Sequence, residues 1–300
     1  MSEQVLAELS TQMADAVAAA ARSTVLVNGR QRYPASGIAI AADLVLTADH
    51  VVERDEDLSI VTPDDYESAA QLVGRDPASD IAVLRVPNGG LTPATQADAA
   101  ARVGQLILMV GRPTRSGPMA SLGIVSAVSG PWRGGRGGML DRVIRTDATP
   151  YPGFSGGPLV TAGGAIVGMT TTGLTNGPAV GIPSAIAWTI AETIMQHGSL
   201  KRGYLGISSQ PVRLPGNVPE VNGAQPRVGL LLMRVEPGSP ADRAGLIIGD
   251  ILVGMNGRLI EDADDLQAAL GPDKVGQAQT VQVIRGGELR ELQVVVGSRG

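Results

Sequence analysis

Ser155 lies in Tyr151-Pro152-Gly153-Phe154-Ser155-Gly156-Gly157-Pro158-Leu159, a single hydroxyl in a run of glycines. Glycines let the chain turn tightly and expose backbone N–H groups. That suits nucleophilic catalysis: an accessible oxygen beside backbone donors for a developing oxyanion. Such a nucleophile needs a base, and the chain has two histidines. His50 ends the apolar, β-branched run Leu44-Val45-Leu46-Thr47-Ala48-Asp49-His50-Val51-Val52. His197 stands where a helical pattern stops at Gly198, and an imidazole there suits the negative end of a helix. A third group, Asp80, heads the apolar run Ser79-Asp80-Ile81-Ala82-Val83-Leu84-Arg85-Val86. A carboxylate buried there is tolerable if it accepts a hydrogen bond from an imidazole and orients it. Two other acids compete. Asp49 neighbours His50 but faces the opposite side of a strand, and Asp76, before Pro77, reads as a turn residue. His50 alone could be a satisfied core histidine; its partners decide the matter.

The order His50, Asp80, Ser155 is that of the chymotrypsin-like hydrolases. Gly-x-Ser-x-Gly also fits the nucleophile elbow of an α/β-hydrolase, but that fold places its acid and histidine after the serine. Only His197 follows Ser155 here, and parallel strands alternating with helices are missing. The elbow reading is therefore set aside.

The elements that must position these groups are short strands. The 300 residues suggest about two domains. Aliphatic residues are ample, while aromatics make up 2% and glycines number 40, which favours strands and tight turns over a helical bundle. A net charge of -5 argues against a nucleic-acid surface. Cysteine is absent and no His-Glu-x-x-His occurs, so neither metal nor cofactor is expected. The glycine run at 134–138 lacks the lysine and hydroxyl ending of a phosphate loop, so no ATP requirement is expected. No segment has the ~20 apolar residues of a membrane span. The N-terminus carries no leader pattern, and the chain is expected to be cytoplasmic.

Residues 1–22 read as an amphipathic helix, with Val5, Leu6, Leu9, Met13, Val17 and Ala20 at helical spacing and packed on the domain behind. Residues 23–200 hold two groups of about six strands. The first group is 24–27, 37–40, 44–47, 58–61, 71–73 and 81–86; the second is 106–110, 122–128, 143–146, 157–160, 166–170 and 179–182. A pair of barrels follows, with His50 and Asp80 from the first and Ser155 from the second. Ser184 is expected to cap a helix ending near Gln196. Residues 201–300 form a second domain with strands at 205–207, 229–235, 251–254, 281–284 and 289–296, a short helix opened by Ser239-Pro240-Ala241, and another at 264–270. The stretch 211–227 reads as a flexible loop.

The chain resembles the HtrA/Deg family of serine endopeptidases, a trypsin-like domain followed by one PDZ domain. The resemblance is carried by Thr47-Ala48-Asp49-His50-Val51-Val52, by Ser79-Asp80-Ile81-Ala82-Val83-Leu84, and by Arg145-Thr146-Asp147-Ala148 leading into Gly153-Phe154-Ser155-Gly156-Gly157-Pro158-Leu159. In the second domain it rests on Arg202-Gly203-Tyr204-Leu205-Gly206-Ile207, Gly238-Ser239-Pro240-Ala241-Asp242-Arg243-Ala244-Gly245-Leu246 and Gly249-Asp250-Ile251-Leu252. It covers nearly everything after about residue 23.

The resemblance implies a mostly β protein: a chymotrypsin-like double barrel, then a PDZ domain built as a partly open β-barrel with two helices. It implies an ATP-independent endopeptidase of protein quality control, acting on unfolded or damaged proteins. Ser155 would be the nucleophile, His50 the base and Asp80 the orienting carboxylate, with Gly153 and Ser155 as the oxyanion hole. Thr171 matches the position beside the buried carboxylate; its other reading is an ordinary strand threonine. Thr149, Pro150 and Tyr151 would line the substrate pocket. Trypsin carries its pocket-base aspartate where Thr149 stands, so small or medium aliphatic residues are expected before the cut. Tyr204, Leu205, Gly206 and Ile207 match the PDZ carboxylate loop, which holds a peptide C-terminus as an added strand against the helix at 264–270. A brace between domains is the alternative use of that fold. The glycine-dense stretch 129–138 stands where the family senses its PDZ domain.

Four positions depart from the family pattern. Phe154 and Tyr151 each replace a usual asparagine, Asp49 a small residue, and Pro150 a branched apolar one. Phe154 opens a second function class, a catalytically impaired peptide-binding or chaperone protein with a spoiled oxyanion hole. The family implies a homotrimer, but the aromatic N-terminal segment that often builds it is missing, so oligomeric state is not carried over.

Overall fold

A computed structural model describes residues 3–133, 139–175, 177–198, 202–216, 218–271 and 274–299. The chain forms two compact units, Met1–Leu200 and Lys201–Gly300.

The first unit opens with α1 (Glu3–Ala21). Its spacing promised a longer buried face than it delivers: Ala16 and Ala20 are buried, Met13 and Val17 pack partly, and Val5 and Leu6 are exposed. Only the last turns of the helix reach the barrel. The Ser23 and Thr24 hydroxyls donate to the Ala20 carbonyl and close its end.

Six strands follow: β1 (Thr24–Asn28), β2 (Ala35–Ala41), β3 (Leu44–Thr47), β4 (Leu58–Val61), β5 (Glu67–Asp76) and β6 (Ile81–Arg85). They close an antiparallel barrel in the order β1-β2-β3-β6-β5-β4. β-Branched and leucine side chains fill it; every residue of β3 is buried.

The second barrel uses β7 (Leu106–Thr114) and β8 (Gly117–Ser129), then, past a small hairpin of β9 (Trp132–Arg133) and β10 (Met139–Leu140), β11 (Val143–Thr146), β12 (Pro158–Thr161), β13 (Ile166–Thr171) and β14 (Val180–Pro183). It closes as β11-β14-β13-β12-β7-β8. The residues 134–138, read as a glycine loop, lie outside the described residues.

α2 (Ser184–His197) follows β14 directly. Ser184 does not cap it: Pro183 holds that place with no side-chain hydrogen bond, and Ser184 is already helical and buried. The strand runs straight into the helix and leaves no free residue for a cap. His197 sits in the last turn, and Gly198 ends the helix in the left-handed region at φ 75°, its N–H bonded to the Ile194 carbonyl at 2.7 Å.

The second unit contains β15 (Arg202–Tyr204), β16 (Ile207–Arg213), β17 (Val228–Val235), α3 (Pro240–Arg243), β18 (Ile251–Met255), β19 (Arg258–Leu259), α4 (Ala263–Ala269), β20 (Ala278–Arg285), β21 (Glu288–Val295) and β22 (Gly297–Arg299). The main sheet runs β16-β17-β18-β20-β21, and β15 pairs with β22. Two readings are corrected here. Of the strand expected at 205–207 only Ile207, the first residue of β16, is strand; Leu205 and Gly206 form a break, because Gly206 turns the chain at φ 81° between β15 and β16. The loop expected from 211 starts later, since β16 pairs with β17 through Arg213.

α3 is capped by Ser239, whose Oγ accepts from the Asp242 N–H at 3.2 Å. Buried Asp250 takes both arms of Arg285, Nε–Oδ1 and Nη2–Oδ2 each at 2.7 Å. Those hydrogen bonds push the Arg285 guanidinium above its ordinary pKa, against the desolvation that lowers it.

Candidate active site

The first barrel contributes a fixed pair. His50 sits on the single turn Asp49–Val51 just after β3. Asp80 stands at the head of β6, fully buried, at φ 57°, a region that aspartate enters more readily than most side chains. Its Oδ2 lies 2.8 Å from His50 Nδ1, and its Oδ1 accepts the His50 backbone N–H at 2.9 Å. The Thr171 hydroxyl, at the end of β13, also donates to Oδ2. An ionised carboxylate only accepts, so Nδ1 carries the proton, and in the neutral imidazole Nε2 is the acceptor. Thr171 Oγ1 in turn accepts the Gly173 N–H at 2.9 Å. A Cβ at Gly173 would come within 2.4 Å of Asp80 Oδ2 and 2.6 Å of His50 Nδ1, so the bare backbone covers the pair.

The competing acids are engaged elsewhere. Asp49 lies 3.3 Å from Arg75 Nη1, and Asp76 Oδ2 accepts the Ser79 N–H at 3.1 Å.

The second barrel contributes the serine loop. Gly153 and Gly156 both have φ 86°, and a Cβ at Gly156 would meet the Ser36 carbonyl at 2.1 Å. Gly156 N–H donates to Thr170 O, and Thr170 N–H to Gly157 O, each at 2.8 Å, which ties the loop to β13. Phe154 is 1% exposed, its ring in the second-barrel core with Ile107, Met109, Val125 and Leu159. Tyr151, 43% exposed, meets that ring edge-on at 5.4 Å. The bulk of Phe154 therefore lies inside the barrel. Among the described residues, neither the Gly153 nor the Ser155 N–H donates to another acceptor.

Ser155 Oγ lies 3.1 Å from Thr172 Oγ1, which lies 3.5 Å from His50 Nε2. Among the described residues there is no direct hydrogen bond from Ser155 to His50. The two side chains meet through the threonine.

Ser36 on β2 joins the two barrels at this point. Its hydroxyl donates to the Gly153 carbonyl at 2.7 Å and accepts the Arg112 N–H at 2.8 Å, and its own N–H donates to Ser155 O at 3.2 Å. Sequence reasoning missed both Ser36 and Thr172. A hydroxyl inside the buried run of β2 needs a partner, and that was the available signal for Ser36. Thr172 was masked by two neighbouring threonines.

Thr149 is exposed and Pro150 half-buried, and the Thr149 carbonyl accepts from Ser121 Oγ at 2.7 Å. The guanidinium of Arg145 stacks 4.7 Å over the Trp132 ring.

In the second unit, Tyr204, Leu205, Gly206 and Ile207 span the junction of β15 and β16. The carbonyls of Leu205 and Gly206 accept from the N–H groups of Ala241 and Glu236, each at 2.8 Å, and the Tyr204 hydroxyl bonds the Glu236 carboxylate. β16 is an edge strand with α4 beside it.

Residues 35–169 match the trypsin-like peptidase domain family and residues 203–296 the PDZ domain family. These domains are of kinds that bind peptide or protein substrates. The chain is 34% identical over 283 residues to a probable periplasmic serine endoprotease, DegP-like, of Ectopseudomonas mendocina, covering 90% of this chain and 58% of that protein. It is 33% identical over 274 residues to the periplasmic pH-dependent serine endoprotease DegQ of Escherichia coli, covering 87% and 58%. The chain thus spans less than two thirds of the curated relatives it matches.

Among solved structures, the HtrA-type protease AlgW with a decapeptide aligns over 96% of this chain and 99% of that one, at TM-score 0.74 and 27% identity. The serine endoprotease from Yersinia pestis aligns over 96% and 98%, at TM-score 0.75 and 26% identity.

Among the described residues no helix is long and apolar enough to cross a membrane. The expected cytoplasmic placement is nevertheless overturned, because the curated relatives are periplasmic and point outside the cytoplasm. The chain thus carries a trypsin-like peptidase domain followed by a PDZ domain, and along almost its whole length it is similar to serine endoproteases of the HtrA/Deg kind.

Proposed function

We propose that this protein is a serine endopeptidase that cuts unfolded or damaged proteins without ATP, and that its PDZ domain holds peptide C-termini. The observation that carries the reading is the fixed His50–Asp80 pair at 2.8 Å, with the Ser155 hydroxyl one threonine away. Ser155 Oγ attacks the scissile carbonyl carbon as its proton passes to His50 Nε2. The carbonyl electron pair moves onto oxygen and is received by the Gly153 and Ser155 N–H groups. His50 then hands the proton to the leaving amine as the C–N bond breaks, and water repeats the sequence on the acyl-enzyme. Asp80, held by Thr171, keeps the imidazole in the tautomer this requires.

Thr149, Pro150 and Tyr151 line the pocket in this reading. With threonine where a basic substrate would need an acid, cleavage follows small or medium aliphatic residues. The impaired-enzyme alternative rested on Phe154, and its burial in the barrel core removes that motive. In the second unit, a peptide joins the β16 edge beside α4, with its carboxylate at Tyr204-Leu205-Gly206-Ile207.

Digestion of casein by the full chain and by Ser155→Ala, with cut sites mapped by mass spectrometry, tests the proposal. Wild type is expected to cut after aliphatic residues and Ser155→Ala to show no cleavage. Equal cleavage by both would reject Ser155 as nucleophile, and cuts mainly after lysine or arginine would reject the pocket assignment.

A further inference from the structure

Thr172 lies one residue beyond β13 and is exposed, so no packing demand explains its hydroxyl. That hydroxyl is nonetheless the group paired with the Ser155 side chain, its Oγ1 lying 3.1 Å from Ser155 Oγ and 3.5 Å from His50 Nε2. Within the hydrolytic reading above, we propose that Thr172 is a positioning residue that holds Ser155 in a resting rotamer off the base.

The geometry gives this its direction. His50 Nε2 is an acceptor, and attack requires the serine proton to reach it. While Ser155 donates to Thr172 at 3.1 Å, that proton is directed away from the imidazole or passes only through a second hydroxyl across 3.5 Å. With Thr172 as the donor instead, the Ser155 oxygen is held by the threonine without a bond to the base. Engagement then requires Ser155 to leave the threonine and turn to His50, a change between staggered side-chain wells. The rest of the assembly is already in place: His50 is fixed by Asp80, and Asp80 by Thr171. One hydrogen bond of ordinary strength, between the buried Ser155 hydroxyl and the exposed Thr172, thus sets how often the nucleophile is ready.

The test is the rate at which a fluorophosphonate probe labels Ser155 in the full chain, across pH, for wild type, Thr172→Val, Thr172→Ala and Thr172→Ser. Valine keeps the β-branched shape and deletes the hydroxyl. Thr172→Val and Thr172→Ala are expected to label about fivefold faster, the equivalent of one hydrogen bond of roughly 1 kcal/mol. The shape of the pH profile stays unchanged, and Thr172→Ser returns the slower rate. Thermal unfolding of each variant shows that the fold persists, as expected for an exposed site. Unchanged rates overturn the proposal. Slower labelling with an altered pH profile also overturns it and makes Thr172 a proton relay. Absence of label at Ser155 in wild type and every variant rejects the nucleophile itself, and the inference with it.

Discussion

The two barrels bring unequal halves to the site. In the first, His50 and Asp80 are tied by three donors to the carboxylate, from the His50 amide, the His50 ring and the Thr171 hydroxyl. In the second, the loop backbone is secured by Ser36 and Thr170, while the Ser155 side chain rests on a neighbouring hydroxyl. On the proposed mechanism the lesson is a division of labour: the proton acceptor is oriented before substrate arrives, and the nucleophile retains a choice of partners. A buried charge needs every partner it can find, whereas a neutral hydroxyl is satisfied by one.

The sharpest way to break the comparison is at the rigid half. Asp80→Asn keeps the shape but puts an amide where the imidazole needs an acceptor, which favours the wrong tautomer. Cleavage of a peptide substrate is expected to lose about 10⁴ in kcat. A loss below tenfold would mean that the first barrel does not hold the base as described.

Phe154→Ala tests whether the serine loop is anchored from below. Removing a fully buried ring from a core typically costs about 3–5 kcal/mol, and urea unfolding should show a loss of that size. A loss under about 1 kcal/mol would indicate that the second barrel tolerates the change by collapse.

The smallest effect is expected at the seam. Ser36→Ala leaves the Gly153 carbonyl and the Arg112 N–H without their shared partner, at about 1–3 kcal/mol. Fluorophosphonate labelling of Ser155 should slow as well. Lost stability with unchanged labelling would make Ser36 a purely structural bridge.

Most of the barrel architecture was legible because β3, β6 and β13 are nearly continuous apolar or β-branched runs, and such runs announce buried strands. What failed was local. Ser184 looked like a cap until β14 ran directly into α2, and Leu205 looked like strand until Gly206 turned the chain. His50, Asp80 and Ser155 stood out because few residue types can do their chemistry and the chain holds only two histidines. Ser36 did not, because its partner Gly153 is 117 positions away and an isolated serine carries no sign of it. Phe154 misled in the opposite direction: its identity suggested obstruction, and only packing showed which way the ring points.

Pro211 stands inside β16, opposite Leu230 on β17. Proline has no N–H, so an edge strand cannot offer a continuous ladder past it. The usable edge is then Ile207 to Gln210, and at about 3.3 Å per residue it reaches roughly 13 Å. On the proposed reading, a tail docked there is gripped by its final few residues only, and whatever lies upstream is left free of this sheet. The same stop shortens the template that an exposed edge presents to other chains, which limits edge-to-edge growth into an aggregate.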